Sequence, residues 1–122
     1  MPSWHRGNAG EDAGARRGWI VGHFVDDAGD LHHSKDVEVK WGVHPAGDQR
    51  TEWAPGIHER TLLILVSGRW RLELAPSEQH ESSETVILDT PGDYVVWDHD
   101  VDHRWSAEAD SVMITVRWPS LP

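Results

Sequence analysis

Residues 85–105, TVILDTPGDYVVWDHDVDHRW, hold the side chains best suited to chemistry. His103 and Trp105 alternate with Arg104, so the two share one face of a strand. A histidine beside an indole on an apolar strand offers hydrogen bonding, or acid–base chemistry near neutral pH, against a flat wall. The acids Asp98, Asp100 and Asp102 crowd a turn just before it. Asp is common there for a local reason, because its carboxylate bonds the turn's own backbone. One of them could also hydrogen-bond a histidine ring and control its protonation. His99, in the same turn, is expected to face water.

A second group of candidates lies upstream. Val37, Val39, Trp41 and Val43 alternate with Glu38, Lys40, Gly42 and His44, the period-2 pattern of a half-buried strand. If the polar face lines an interior, Lys40 and His44 join His103 as a cationic or hydrogen-bonding floor under tryptophan walls. If it faces outward, Lys40 pairs with Glu38 or with solvent. Arg50, in the following loop, is suited to hold a carboxylate in bidentate fashion, or is simply an exposed charge. His58 and Glu59 sit on a loop and have metal-ligand chemistry, but their spacing forms no compact motif. The chain has eight Trp against one Phe and one Tyr. Each indole supplies a large flat apolar area and one N–H donor, so most should fill core and one or two, Trp97 and Trp105 first, should line a pocket.

The elements that must position these residues are short strands. Gly18–Val25 reads as the first, and Val37–His44 as the second. Gln49 to Arg60 reads as a loop that holds at most a short irregular strand. Leu62–Val66 is apolar on both faces and reads as a central strand. After the Ser67-Gly68 turn, Trp70, Leu72 and Leu74 face one way and Arg69, Arg71 and Glu73 the other. Thr85–Leu88 and Tyr94–Trp97 flank Pro91-Gly92-Asp93, where Pro presets one φ and Gly accepts a positive one. Val112, Ile114, Val116 and Trp118 close the chain as a last strand. About eight strands ended by Gly, Pro and Asp turns predict an all-β sandwich or barrel, best fitted by a jelly roll with a concave interior. Residues 1–17 are polar and Gly-rich and are expected to lack order, with the β domain spanning residues 18–122.

The bulk composition narrows the function classes. The net charge is −10 over 122 residues. Such a charge opposes binding to nucleic-acid phosphates and to anionic membrane surfaces. No apolar run approaches the length of a membrane span, and no signal-peptide core follows Met1. With no cysteine, disulfides and thiolate chemistry are excluded, and a cytoplasmic location is expected.

Over residues 37–117 the pattern resembles the cupin superfamily. Gly47 opens, and LLILVSG closes at Gly68, a stretch similar to the first cupin motif. PGDYVVWDHDVDH, from Gly92 to His103, is similar to the second. The resemblance implies a cupin-type antiparallel jelly-roll β-barrel. It also implies a metal site of three His and one carboxylate, which carries over only at His103. Thr61 stands where the family has its Glu, and Trp53 and Pro55 stand where it has two His. A rescued set of His103, His44, His58 and Glu59 would suit Fe, Zn, Mn or Ni, but the count of ligands in register favours no bound metal. Trp53 is expected at the pocket rim.

Two functions follow as expectations. The first is a binder of a small organic molecule, using Lys40, His44, Arg50, Trp53, Thr61, Trp97 and Trp105. The second is an enzyme, either a metal-dependent oxygenase or isomerase, or a metal-free isomerase with His103 as acid or base. A homodimer joined through strand Gly18–Val25 is expected, because open sheet edges need cover.

Overall fold

A computed structural model describes residues 3–56 and 58–122. Met1 and Pro2, part of the segment expected to lack order, lie outside the described residues. Residues 9–16 of that segment carry helical turns: α1 (Ala9–Asp12) and then a 3-10 turn over Gly14–Arg16. The Asn8 side chain accepts the Glu11 N–H at 3.2 Å and so caps α1. Ala13 is fully buried behind it.

Among the described residues nine strands follow: β1 (Trp19–Val21), β2 (Glu38–His44), β3 (Gln49–Ala54), β4 (Arg60–Ser67), β5 (Trp70–Pro76), β6 (Glu84–Leu88), β7 (Tyr94–Trp97), β8 (Val101–Ala107) and β9 (Ser111–Trp118). They form two antiparallel sheets, in the orders β1-β2-β9-β4-β7 and β3-β8-β5-β6. This is the expected jelly roll. β1 is only three residues long, shorter than the expected Gly18–Val25. β3 is a true strand where the sequence suggested mainly loop.

The turns are held by local chemistry. Gly92 has φ +95° and its N–H donates to Leu65 O at 2.8 Å. The Asp93 carboxylate accepts the Asp89 and Thr90 N–H groups at 3.2 and 3.0 Å, which closes the turn and seats it on β4. Gly68 has φ +103° and lies against Ser111 Oγ and the Asp110 carbonyl. A Cβ would collide there, so only glycine fits.

The core lies between the sheets. Leu63, Leu65, Trp70, Leu72, Leu88, Trp97, Ala107 and Met113 form one buried cluster. β5 follows its predicted alternation, with Trp70 and Leu72 buried and Arg71 and Glu73 paired on the outside. β4 alternates as well, with Thr61, Leu63 and Leu65 inward and Leu62 and Ile64 outward. On β2 the inward set is Lys40, Gly42 and His44, and the apolar Val39, Trp41 and Val43 take the outer face. The polar face of the strand therefore lines the interior.

Candidate functional site

The two sheets enclose a deep recess of about 60 Å³. It opens into a wider mouth of about 760 Å³, with which it shares Lys40, Gly42, His44, His103, Trp105 and Arg117. Sheet register explains the grouping. β2 pairs β9 with Lys40 opposite Thr115, and β4 pairs β9 with Thr61 opposite Arg117. From the facing sheet, β8 sends in His103 and Trp105, and β5 sends in Trp70 and Leu72. One end of the recess is thus polar, with Lys40, Thr61, His103, Thr115 and Arg117. The other is apolar, with Leu63, Leu72, Trp70, Trp105 and Met113.

The tryptophans build the walls. Trp70 and Trp105 stack with centroids 4.5 Å apart and planes 22° apart. His44 packs at 5.0 Å from the first and 4.8 Å from the second. Trp97 lies 5.0 Å from the His103 ring.

The electrostatics run against the charge of the whole chain. Lys40, Arg17, Arg50 and Arg117 border the mouth, and among the described residues none of the four is in a salt bridge. Burial holds the Lys40 ammonium below the usual lysine range, and repulsion from Arg117 and Arg17 adds to it. Burial raises the carboxyl of Glu38, which the charge of neighbouring Arg117 partly offsets. Burial also drives His103 down to about 4, with Arg117 and Arg50 adding to it. His103 is therefore neutral at pH 7. Asp102 pulls the other way only weakly.

Three buried nitrogens find no hydrogen-bond partner within the described residues: Trp70 Nε1, His103 Nδ1 and Arg117 Nε. All three residues line the recess. A buried polar atom left unpaired costs about 1–3 kcal/mol, and the three come from both sheets, Trp70 on β5 and His103 on β8 of one and Arg117 on β9 of the other.

Of the residues singled out from sequence, Lys40, His44, Thr61, Trp97, His103 and Trp105 come together in the recess, and Arg50 borders the mouth. Trp53 does not. It stacks on His80 at 4.4 Å with the Arg104 guanidinium 4.5 Å from its ring, outside the pocket. From β3 the mouth takes Gln49, Arg50 and Ala54, and the register with β8 shifts between Arg50 and Ala54. His58 is exposed on its loop, and its N–H donates to the neighbouring Glu59 carboxylate at 3.3 Å.

His44, His58, Glu59 and His103 do not assemble into a ligand set. Among the described residues no group of three or more His, Asp or Glu side chains is placed to hold a metal ion. The His44 ring is committed through Nδ1 to Asp48 at 2.6 Å, and His103 sits against Trp97. The donor chemistry present does not fit the four-ligand metal centre that the resemblance implies.

Asp102 does hydrogen-bond a histidine ring, but it is that of His80, at 2.8 Å, rather than that of His103. It also accepts the Gly56 and Glu78 N–H groups, at 3.3 and 3.4 Å. The His80 bond is the main cause that holds its carboxyl below the usual aspartate range. Asp102 thus ties two loops together beneath β8. His99 is exposed beside Asp98, as expected.

Pocket residues missed from sequence include Arg117, Thr115, Asp48, Arg17 and Trp70. The signal for the first two was present. They alternate with Val112, Ile114, Val116 and Trp118 on β9 and so had to share the opposite face.

Solved structures similar in shape agree on the fold. KdgF from Halomonas sp. superposes with TM-score 0.60 at 26% identity, over 73% of this chain and 74% of that one. An RmlC-like cupin from Shewanella frigidimarina superposes with TM-score 0.58 at 14% identity, over 70% and 68%. The cupin domain of Drosophila melanogaster CENP-C superposes with TM-score 0.52 at 13% identity, over 68% and 55%. Neither a protein-family profile nor a curated protein sequence matches the chain. The chain is a small cupin-fold protein. No helix among the described residues is long and apolar enough to cross a membrane.

Proposed function

We propose that this protein binds a small organic anion, a ring- or chain-bearing carboxylate, in the recess between its sheets. The observation that carries the reading is the unpartnered trio of Trp70 Nε1, His103 Nδ1 and Arg117 Nε on one lining. Two of these are obligate donors and the third can donate, so they call for acceptor oxygens. Lys40 and Arg117 supply positive charge at the same end, with Arg50 and Arg17 at the mouth. A carboxylate between them would offset the burial, and the added repulsion from Arg117 and Arg17, that hold Lys40 down. The apolar remainder of the ligand would lie against Trp105 and Trp70, and the mouth volume falls in the usual range for small-molecule sites. The acidic exterior would slow the approach of anions, so the site would depend on short-range contacts rather than steering.

Trp70, Trp97 and Trp105 make the site self-reporting. Titration with benzoate and with pyruvate, each beside its uncharged counterpart (benzamide, acetone), should quench or shift the emission for the acids alone. Arg117→Met and Lys40→Met keep the apolar stems and should each weaken that binding by roughly 10- to 100-fold, the worth of a charge-assisted hydrogen bond. Equal response to the uncharged analogues, or unchanged affinity in both variants, would defeat the anion reading.

A second reading rests on one further observation. Asp48 accepts from His44 Nδ1 at 2.6 Å, which leaves Nε2 as the free nitrogen of a half-buried ring in the pocket lining. That pairing suits proton transfer to or from a bound ligand, so the acid–base residue of an enzyme here would be His44 rather than the neutral His103. Turnover of the bound acid, abolished in His44→Gln, would distinguish it from a simple binder.

A further inference from the structure

The four-stranded sheet carries a second concavity, a groove of about 160 Å³ on the side away from the recess. It lies at the edge strand β3, where the register against β8 slips between Arg50 and Ala54. β3 contributes Arg50 and Thr51 to it. The pairings Arg71↔Ser106 and Glu73↔Arg104 set the side chains of β5 and β8 next to each other in the same groove. Along β5 these residues alternate with Trp70 and Leu72, so burial of the apolar pair sends Arg71 and Glu73 outward.

The charges in the groove do not cancel. Three guanidiniums, Arg50, Arg71 and Arg104, meet one carboxylate, Glu73, which leaves a local charge of +2 on a chain of −10. Arg104 Nε donates to one Glu73 oxygen at 2.6 Å, and Arg71 Nη1 donates to the other. The Glu73 side chain is only 13% exposed, and these two arginines, Arg104 first, hold its carboxyl below the usual glutamate range. Little else engages the three forks. Arg71 reaches Thr85 Oγ1 at 3.5 Å, Arg104 reaches Thr51 O at 3.4 Å, and Arg50 gives its Nε to Glu52 O at 3.1 Å. A guanidinium has five N–H donors, so among the described residues most donors of all three stay unspent. The Trp53 ring, 4.5 Å from the Arg104 guanidinium, keeps that fork in place. The hydroxyls of Thr51 and Ser106 add two further donors at the groove.

We propose that this groove is an oxyanion site that takes a phosphoryl group, as the free ion or as the monoester of a small molecule. Charge and shape both select that chemistry. A phosphate monoester carries −1.5 to −2 at neutral pH, which matches the local +2. One arginine fork satisfies a planar carboxylate, whereas forks from three strands suit a tetrahedral group with several acceptor oxygens. Arg50 and Trp105 line both this groove and the mouth of the recess, so the organic part of an ester has a path toward an indole. The site is separate from the recess and does not rest on the reading proposed for it.

The test is calorimetric titration of the full chain with inorganic phosphate and with phenyl phosphate, at constant ionic strength set by chloride and at about pH 7.5, where the second phosphoryl proton is lost. Saturable binding with a dissociation constant of about 1 mM or tighter is expected. Tighter binding of phenyl phosphate would assign the group to an ester, and equal binding to the free ion. Arg71→Gln should weaken phosphate by at least about 10-fold, whereas Arg117→Met, in the recess, should leave it unchanged. No saturable binding of either probe overturns the proposal, and so does loss in Arg117→Met with retention in Arg71→Gln, which would put the anion in the recess. If Arg71→Gln does not fold, amide shifts of the parent chain decide. Phosphate should move the signals of Thr51, Arg104 and Ser106, and shifts confined to Lys40 and Thr115 overturn the assignment equally.

Discussion

Acid should destabilise this protein through His103 well before it touches the carboxylates. Burial lowers that ring to about 4 in the folded chain, against an ordinary 6.5. The sign follows from proton counting. Between pH 6.5 and about 4 the unfolded chain holds a proton on this residue and the folded chain does not. Folding stability therefore rises with pH across that window and is fully present above 6.5. The whole shift corresponds to about 3 kcal/mol, and the part lost between pH 7 and pH 5 is about 2 kcal/mol. That is a large share of the 5–15 kcal/mol typical of a domain. Glu73, Asp98 and Asp102 have lowered pKa values and lose their contributions only below about 4.5, through their folded values. Glu38 is raised, so it acts in the opposite sense. The assay is urea unfolding followed by tryptophan emission at pH 7, 6 and 5, for the parent chain and for His103→Gln. The parent should lose about 2 kcal/mol and the variant much less, with unchanged m-values. Equal losses in both proteins, or an imidazole titrating near 6.5 by NMR, would refute the buried, neutral assignment.

Gly68→Ala should cost about 1–3 kcal/mol, because it combines a left-handed φ with collision against Ser111 and Asp110. Gly92→Ala should cost about 1 kcal/mol, since that site has the positive φ but open space around it. Thermal denaturation ranks the two, and the reverse order would contradict the packing described at the β4–β5 turn. Protein purified without added metal should contain well under one equivalent of Fe, Zn, Mn or Ni by elemental analysis. About one metal per chain, lost in His44→Ala, would refute the conclusion that the donors do not form a ligand set.

The sequence alone determined the strands and what shares a face within each. Alternation on β2, β5, β8 and β9 is a local property of an extended chain, so Lys40 had to accompany His44, and His103 had to accompany Trp105. The turns at Gly68 and Gly92 were legible for the same reason, because their chemistry lies within four residues. Tertiary structure decided which face is inside. β2 presents its polar residues to the recess and its valines and Trp41 outward, the reverse of what hydrophobicity suggests for a strand read alone. Trp53 was misplaced because the count from Gly47 crosses an irregular stretch of β3, where the register with β8 shifts between Arg50 and Ala54. A one-residue error in such a count sends a side chain to the other face. Asp102 likewise stands next to His103 in sequence but binds His80, because neighbours on a strand point apart and the loop of residues 77–83 folds back beneath it. Periodicity fixes relations along one strand. The inside of a jelly roll is set by pairings between strands distant in sequence, and those depend on how the whole chain packs.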